Sequence, residues 1–339
     1  MPDFVDRFNL LAPIAAFAVA WVAQRVLLAS NLAKRTLDQP NYRSLHQQPT
    51  PRTGGIALVL GTGAGWLLLP AAPWLPALAG TAMVLAAVSL VDDLRGLAAG
   101  LRLLLHFTAS AAFLYTLGLE WIWILILLVP LVWGVNLYNF MDGLDGLATG
   151  MTVVGFGFCA LAAALQGNDT IAVLSACVAA AALGFLPFNF APARAFLGDV
   201  GSIPLGFLAG AIGITGWREN AWPLWFPLVV FSPFIVDASV TLARRVVRGA
   251  RLAEAHREHY YQRLALLGFG HRHTALLEYG LMLLSGAIGV IAATGDTMPQ
   301  WAPLLALAAI QCASLVAVDR TWMRRLKRDG QTQLQGPQS

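Results

Sequence analysis

Trp121-Ile-Trp-Ile-Leu-Ile-Leu-Leu-Val-Pro130-Leu-Val-Trp-Gly-Val135 runs without a break into Asn136-Leu-Tyr-Asn139-Phe-Met-Asp142-Gly-Leu-Asp145-Gly146. The first part carries no charge and reads as most of a membrane-crossing helix, which needs about 20 apolar residues. The second is dense with amides and carboxylates. A carboxylate near a bilayer is expensive to keep and marks a functional site. On a helix, Asn136, Asn139 and Asp142 fall three apart and share a face, as do Asp142 and Asp145. The glycines allow backbone or ligand to come close. The competing reading is a turn built from ordinary turn formers.

The same alternation of apolar run and polar end recurs along the whole chain. Its 339 residues are 58% hydrophobic and 12% charged, with a mean hydropathy of +0.65. A soluble domain carries about 25% charged residues, so a soluble protein is excluded. Apolar runs near 8–30, 55–70, 77–93, 101–118, 121–137, 147–166, 170–188, 202–216, 223–242, 275–294 and 301–318 predict an all-α, polytopic helical membrane bundle. About eleven spans are expected, or ten if a short Gly-rich run does not cross. Residues 1–320 read as one transmembrane domain and 321–339 as a basic cytoplasmic tail without fixed structure. The first run is preceded by Asp3 and Asp6 against Arg7, so it lacks the basic start of a signal peptide and reads as an uncleaved span. Cys159, Cys177 and Cys312 lie inside apolar runs with no metal or disulfide spacing, as core residues.

Eleven spans place all of the 22 Lys and Arg residues except Arg7, Arg25 and Arg218 on one side or at the helix ends beside it. That asymmetry makes this side cytoplasmic, with the N-terminus outside and the C-terminus inside. It also accounts for the net charge of +4 without nucleic acid as a partner. Five acids fall on the same side: Asp92, Asp93, Asp142, Asp145 and Asp199. Asp92-Asp93 closes the third run; adjacent carboxylates stay ionised only beside a cation or basic partner. Phe196-Leu-Gly198-Asp199-Val-Gly201-Ser202 is a Gly-rich turn feeding a helix, a form that offers backbone N–H groups to phosphate. The longest cytoplasmic loop holds Arg244, Arg245, Arg248 and Arg251, then His256-Arg257-Glu258-His259. Its histidines and arginines suit a diphosphate better than a metal; a basic helix touching anionic lipid is the alternative. Asp237 is a lone acid near the cytoplasmic end of the ninth run, with no assigned role.

Taken together and in this order, these motifs resemble the polyprenyl-phosphate N-acetylhexosamine-1-phosphate transferases, of glycosyl transferase family 4 type. The matching residues are Arg43-Ser-x-His46 with Pro49-Thr50-Pro51-Arg52-x-Gly54-Gly55, Asp92-Asp93, Asn136-x-x-Asn139-x-x-Asp142-Gly-Leu-Asp145-Gly and Phe196-x-Gly198-Asp199-x-Gly201-Ser202. The resemblance covers roughly residues 30–265. It implies that Asp199 ligates Mg²⁺, or Mn²⁺ in its place, and that Asp92 shares that ion. Asp92 and Asp93 would serve the metal and the acceptor phosphate, one of them as a candidate base. Asn139, Asp142 and Asp145 would line the nucleotide-sugar site, with both acids in the catalytic set. Asn189 and Phe196 would hold uracil. His259 would approach the diphosphate, and Thr50, Arg102, His256 and Arg257 would complete the substrate contacts. The implied substrates are a UDP-N-acetyl-sugar and polyprenyl (undecaprenyl) phosphate, at the bacterial inner membrane, with a homodimer as a possible assembly.

Members of this family commonly carry His-x-His-His in the last loop. Here the stretch reads His259-Tyr260-Tyr261-Gln262, closer to a subgroup that starts O-antigen chains. Two other classes compete. A CDP-alcohol phosphotransferase also carries Asp-x-x-Asp-Gly, but its signature continues Ala-Arg, where this chain has Ala148-Thr149. A transporter would carry its polar residues in mid-membrane, whereas these acids gather at one surface.

Overall fold

The computed structural model describes residues 10–40, 44–250, 256–295 and 301–334. Arg43, Arg251 and residues 335–339 lie outside them. Every expected apolar run is helical: α1 (Leu11–Ala29), α3 (Gly54–Trp66), α4 (Leu75–Arg95), α5 (Ala99–Thr116), α6 (Trp121–Phe140), α7 (Leu147–Leu165), α8 (Asp169–Asn189), α9 (Asp199–Arg218), α10 with α11 (Phe226–Val230, Ser232–Val247), α13 (Gly270–Thr294) and α14 (Trp301–Leu334). Short helices α2 (Asn31–Arg35) and α12 (Tyr260–Leu264) lie in the polar loops. Among the described residues eight helices are long and apolar enough to cross a membrane, counting α12 and α13 as one continuous segment; α5, over the expected span 101–118, is not one of them.

Three further segments depart from the expected pattern. At about 1.5 Å per residue, α3 spans only about 20 Å, short of a bilayer core of about 30 Å. The run near 223–242 breaks at Phe231, between α10 and α11, just before Ser232-Pro233. Proline lacks the N–H that would continue the ladder and disfavours a helical residue before it. The last helix does not stop where its apolar run ends: the basic segment after 320 continues as helix to Leu334. A further small departure from all-α, among the described residues, is a two-residue antiparallel pair, β1 (Leu37–Asp38) with β2 (Thr50–Pro51).

α9 forms the axis of the bundle, with 83% of its apolar window buried. It packs on α4 and α6, while α7 and α8 form a hairpin against which α1 and α3 lean. Lipid tails are as apolar as leucine, so close packing rather than hydrophobicity holds such helices together. Gly206 shows how: a Cβ there would sit 2.6 Å from the carbonyl oxygen of Gly134 on α6. Large apolar side chains such as Leu125, Ile126 and Val129 point outward instead.

Candidate functional site

The polar ends meet in one cavity of about 690 Å³. Its walls come from the C-terminal ends of α4 and α6, the first turns of α5 and α9, the Asp142–Gly146 turn and the segment before α12. Helix α6 ends at Phe140, and Asp142 and Asp145 project from the turn that follows it. The shared helix face expected for Asn136, Asn139 and Asp142 therefore holds only for the two asparagines. Asp199 is the first residue of α9, beyond Gly198 at φ 70°, where the helix dipole favours a negative charge.

The carboxylates are held by two arginines. Arg102 Nη1 lies 2.8 Å from Asp92 Oδ2 and 3.9 Å from Asp199 Oδ2, which joins acids far apart in sequence. Asp92 Oδ1 also accepts from the Leu97 backbone N–H at 2.6 Å. Arg52 donates to Asp38 at 2.7 Å and to Asp93 at 3.3 Å. Burial and the neighbouring Asp199 charge push the Asp142 carboxyl well above the usual range; Arg52 and the Gly198 backbone N–H oppose that shift.

The turn around Asp199 is stitched to the first cytoplasmic loop by the backbone. Phe196 N–H donates to Pro51 O, Gly54 N–H to Phe196 O and Gly55 N–H to Leu197 O, at 2.8–2.9 Å. The chains approach so closely that a Cβ on Gly55 would lie 2.2 Å from the backbone nitrogen of Gly201. This seam explains Gly55, while a Cβ on its neighbour Gly54 would run into the Phe185 ring of α8. Behind it, Asn189 accepts from Thr149 at 2.6 Å and donates to Ala195 O at 3.0 Å. Its amide thus anchors the turn that carries Phe196. Ser202 donates to Asn139 at 2.9 Å, tying α9 to α6.

On the opposite wall, His259 and His256 stack with ring centroids 5.1 Å apart. Burial, with His259 and Arg245 beside it, pushes the His256 imidazole down to about 4, so that ring is neutral at pH 7. Glu258 turns away and pairs with Arg245 and Arg248. Tyr261 and Gln262, which replace two histidines of the resembled motif, both line the cavity; the Tyr261 hydroxyl donates to Phe140 O at 3.0 Å.

Of the residues singled out from sequence, Asp92, Asp93, Arg102, Asn139, Asp142, Asp145, Asn189, Phe196, Asp199, His256 and His259 all line this one cavity. Thr50 and Arg257 are not among its lining residues. Thr50 is buried in the β1–β2 pair, opposite Asp38, and its hydroxyl donates to Gln48 O. Sequence reasoning passed over Asp38, His106 and His271, which do line it, and gave Arg52 and His46 no role beyond the motif. His271 Nδ1 lies 3.0 Å from Asp145 Oδ1, and its Nε2 3.3 Å from Leu45 O. No local spacing connects those partners. The Arg43-x-x-His46 stretch was the available signal for His46, whose ring meets Phe196 edge-on at 4.8 Å.

Among the described residues no three His, Cys, Asp or Glu side chains form a ready-made metal cage. The donor set nevertheless fits Mg²⁺. That ion prefers hard oxygen ligands, keeps several waters and binds through one or two carboxylates plus substrate phosphates. Asp92 and Asp199, bridged by the Arg102 guanidinium, supply such a pair.

Residues 75–217 match the family described as Glycosyl transferase family 4. The chain is 30% identical to a decaprenyl-phosphate N-acetylglucosaminephosphotransferase of Mycolicibacterium smegmatis, over 84% of this chain and 82% of that protein. It is 28% identical to a probable undecaprenyl-phosphate N-acetylglucosaminyl 1-phosphate transferase of Bacillus subtilis, over 84% and 87%. A phospho-N-acetylmuramoyl-pentapeptide-transferase of a Synechococcus species is also 28% identical, over 83% and 87%. With these matches and an acid-rich cavity at one end of a membrane bundle, the chain belongs to glycosyl transferase family 4.

Proposed function

We propose that this protein transfers an N-acetylhexosamine 1-phosphate from a UDP-sugar to polyprenyl phosphate, giving polyprenyl-diphosphate-sugar and UMP. The observation that carries the reading is the convergence of Asp92, Asp93, Asp142 and Asp199 around Arg52 and Arg102 at one end of the bundle. A lipid phosphate arrives from the bilayer and a nucleotide sugar from the cytosol, and an interfacial cavity is where the two meet. The concentration of arginine and lysine on that side supports a cytoplasmic active site in the bacterial inner membrane.

In the proposed step, an oxygen of the lipid phosphate attacks the sugar-bearing phosphorus. The bond from that phosphorus to the bridging oxygen breaks, and UMP leaves with that oxygen. The phosphate monoester has a second pKa of about 6 and is largely dianionic at neutral pH, so it attacks directly and gains little from a base. Arg52 and Arg102 hold phosphate oxygens in line and stabilise the spreading charge. Mg²⁺, or Mn²⁺, held by Asp199 and Asp92 would neutralise charge on the diphosphate. Phe196 offers a face for the uracil, and the Asn189 anchor fixes the turn that presents it. The product would begin assembly of an envelope polysaccharide, of which O-antigen is one kind.

The test is incubation of the purified protein with a panel of UDP-sugars and polyprenyl phosphate, with mass spectrometry of the lipid product. Formation of polyprenyl-diphosphate-N-acetylhexosamine is expected. A lipid monophosphate sugar, or no lipid product from any UDP-sugar, would overturn the reading.

A further inference from the structure

We propose that Asp237, which no motif accounts for, is the positioning residue that fixes His259 for the diphosphate substrate. The inference rests on the transferase reading above. Asp237 sits on α11, 5% exposed, and takes only donors. Its Oδ1 accepts from the Tyr260 backbone N–H at 3.0 Å and from Thr241 Oγ1 at 3.2 Å, and it lies 3.1 Å from His259 Nδ1; its Oδ2 accepts from the Tyr261 N–H at 2.9 Å. An oxygen already surrounded by donors requires the hydrogen to be on His259 Nδ1. That leaves Nε2 as the ring's other polar atom, on a side chain that lines the cavity. The plane of the ring is set as well: His256 stacks on it at 5.1 Å and 27°, and Tyr261 at 5.7 Å and 23°.

Part of the need for a carboxylate is local: serine, threonine or asparagine would bring one acceptor oxygen and cap one N–H group, whereas Tyr260 and Tyr261 donate to different oxygens of Asp237. Beyond that capping, Oδ1 gives Nδ1 an acceptor, which fixes the ring so that Nε2 can meet a diphosphate oxygen.

The experiment compares full-length wild type with Asp237→Asn, His259→Ala and the double variant, measuring kcat, KM for UDP-GlcNAc and melting temperature. Asp237→Asn should lower kcat by about 10- to 100-fold; its amide leaves one backbone N–H without an acceptor, so the melting temperature should fall too, and kcat is compared well below it. The double variant should be no slower than His259→Ala alone, since residues acting as a unit are not additive. Losses that multiply, or a kcat within twofold of wild type, would overturn the assignment. Asp237→Ser, which keeps a capping oxygen, replaces Asp237→Asn if the latter does not fold. A second readout is independent of turnover. In ¹⁵N-histidine-labelled protein, with the His259 signals identified by their loss in His259→Ala, the neutral ring should carry its hydrogen on Nδ1. In Asp237→Ala, measured the same way, the acceptor for Nδ1 is gone, so the hydrogen should no longer be held there and should move to Nε2. An unchanged tautomer refutes the role of Asp237 even if the wild type proves inactive as a transferase, whereas inactive wild type with the expected tautomer switch refutes the transferase reading alone.

Discussion

Replacing Gly55 by alanine would insert a methyl group 2.2 Å from the backbone nitrogen of Gly201 and 2.6 Å from the carbonyl carbon of Val200. Neither neighbour is a flexible side chain, so the two backbones must separate. Ordinary contact lies near 3.4 Å, so the displacement needed is about 1 Å. Three backbone hydrogen bonds cross this seam, each contributing about 1 kcal/mol. Their weakening, with overpacking of about 1–3 kcal/mol, lowers stability by a few kcal/mol. The larger effect is on turnover. The displaced segment carries Phe196 and Asp199, and misplacing a reacting group by about 1 Å costs on the order of 100-fold in rate. Steady-state UMP release from protein in detergent, with melting temperature recorded alongside, measures both. Gly63→Ala, on the same helix with nothing within 4 Å of the added methyl, serves as the control and should retain activity. If Gly55→Ala turned over like Gly63→Ala, the seam would not be what positions Asp199.

Further consequences concern the acids and the loop. Asp199→Asn should abolish turnover with either Mg²⁺ or Mn²⁺, while Asp93→Asn should reduce it less, because the lipid phosphate needs little help from a base; equal losses in a kcat assay would argue against direct attack. Burial and the Asp199 charge raise the Asp142 carboxyl well above the usual carboxylate range, and a nearby dication should pull it back down. Calorimetry in buffers of different ionisation enthalpy should therefore show proton release on Mg²⁺ binding, and an affinity that falls as pH falls. The pKa of His256 is lowered to about 4 from an ordinary value of about 6.5. The detached loop binds a proton before the docked loop does, so docking is fully favoured above pH about 6.5 and weakens as pH falls toward about 4. The protection factors of the Tyr260 and Tyr261 amides, with exchange corrected for its own pH dependence, should fall over that interval, and His256→Asn should remove that fall.

The membrane architecture could be read from sequence because apolar length is a direct physical requirement of crossing a bilayer. The positions where helices begin and end could not. Asp199 reads as a residue before a span, yet it opens α9, because Gly198 takes the positive φ that starts the helix. The break at Phe231 had a visible cause in Ser232-Pro233, but the surrounding hydrophobicity concealed it. In the site, residues that announce themselves locally, such as Asp92-Asp93 and Asp142-Gly-Leu-Asp145, were identifiable. Partners assembled only by packing were not. Asp145 meets His271, Arg52 joins Asp38 to Asp93, and Arg102 reaches across a helix start to both Asp92 and Asp199. None of these pairs follows from a periodicity. Asp237 was conspicuous as a buried acid, but its partners His259, Tyr260 and Tyr261 arrive from the next loop.

The fate of the second phosphate of the nucleotide sugar tests the central claim most directly. UDP-N-acetylglucosamine labelled with ³²P in the β-phosphate is incubated with the protein, Mg²⁺ and polyprenyl phosphate, and the products are separated into lipid and aqueous phases. A cavity that joins a lipid phosphate to the sugar-bearing phosphorus puts the label in the lipid and releases unlabelled UMP. Label recovered in the aqueous phase as UDP, with an unlabelled sugar on the lipid, would contradict it.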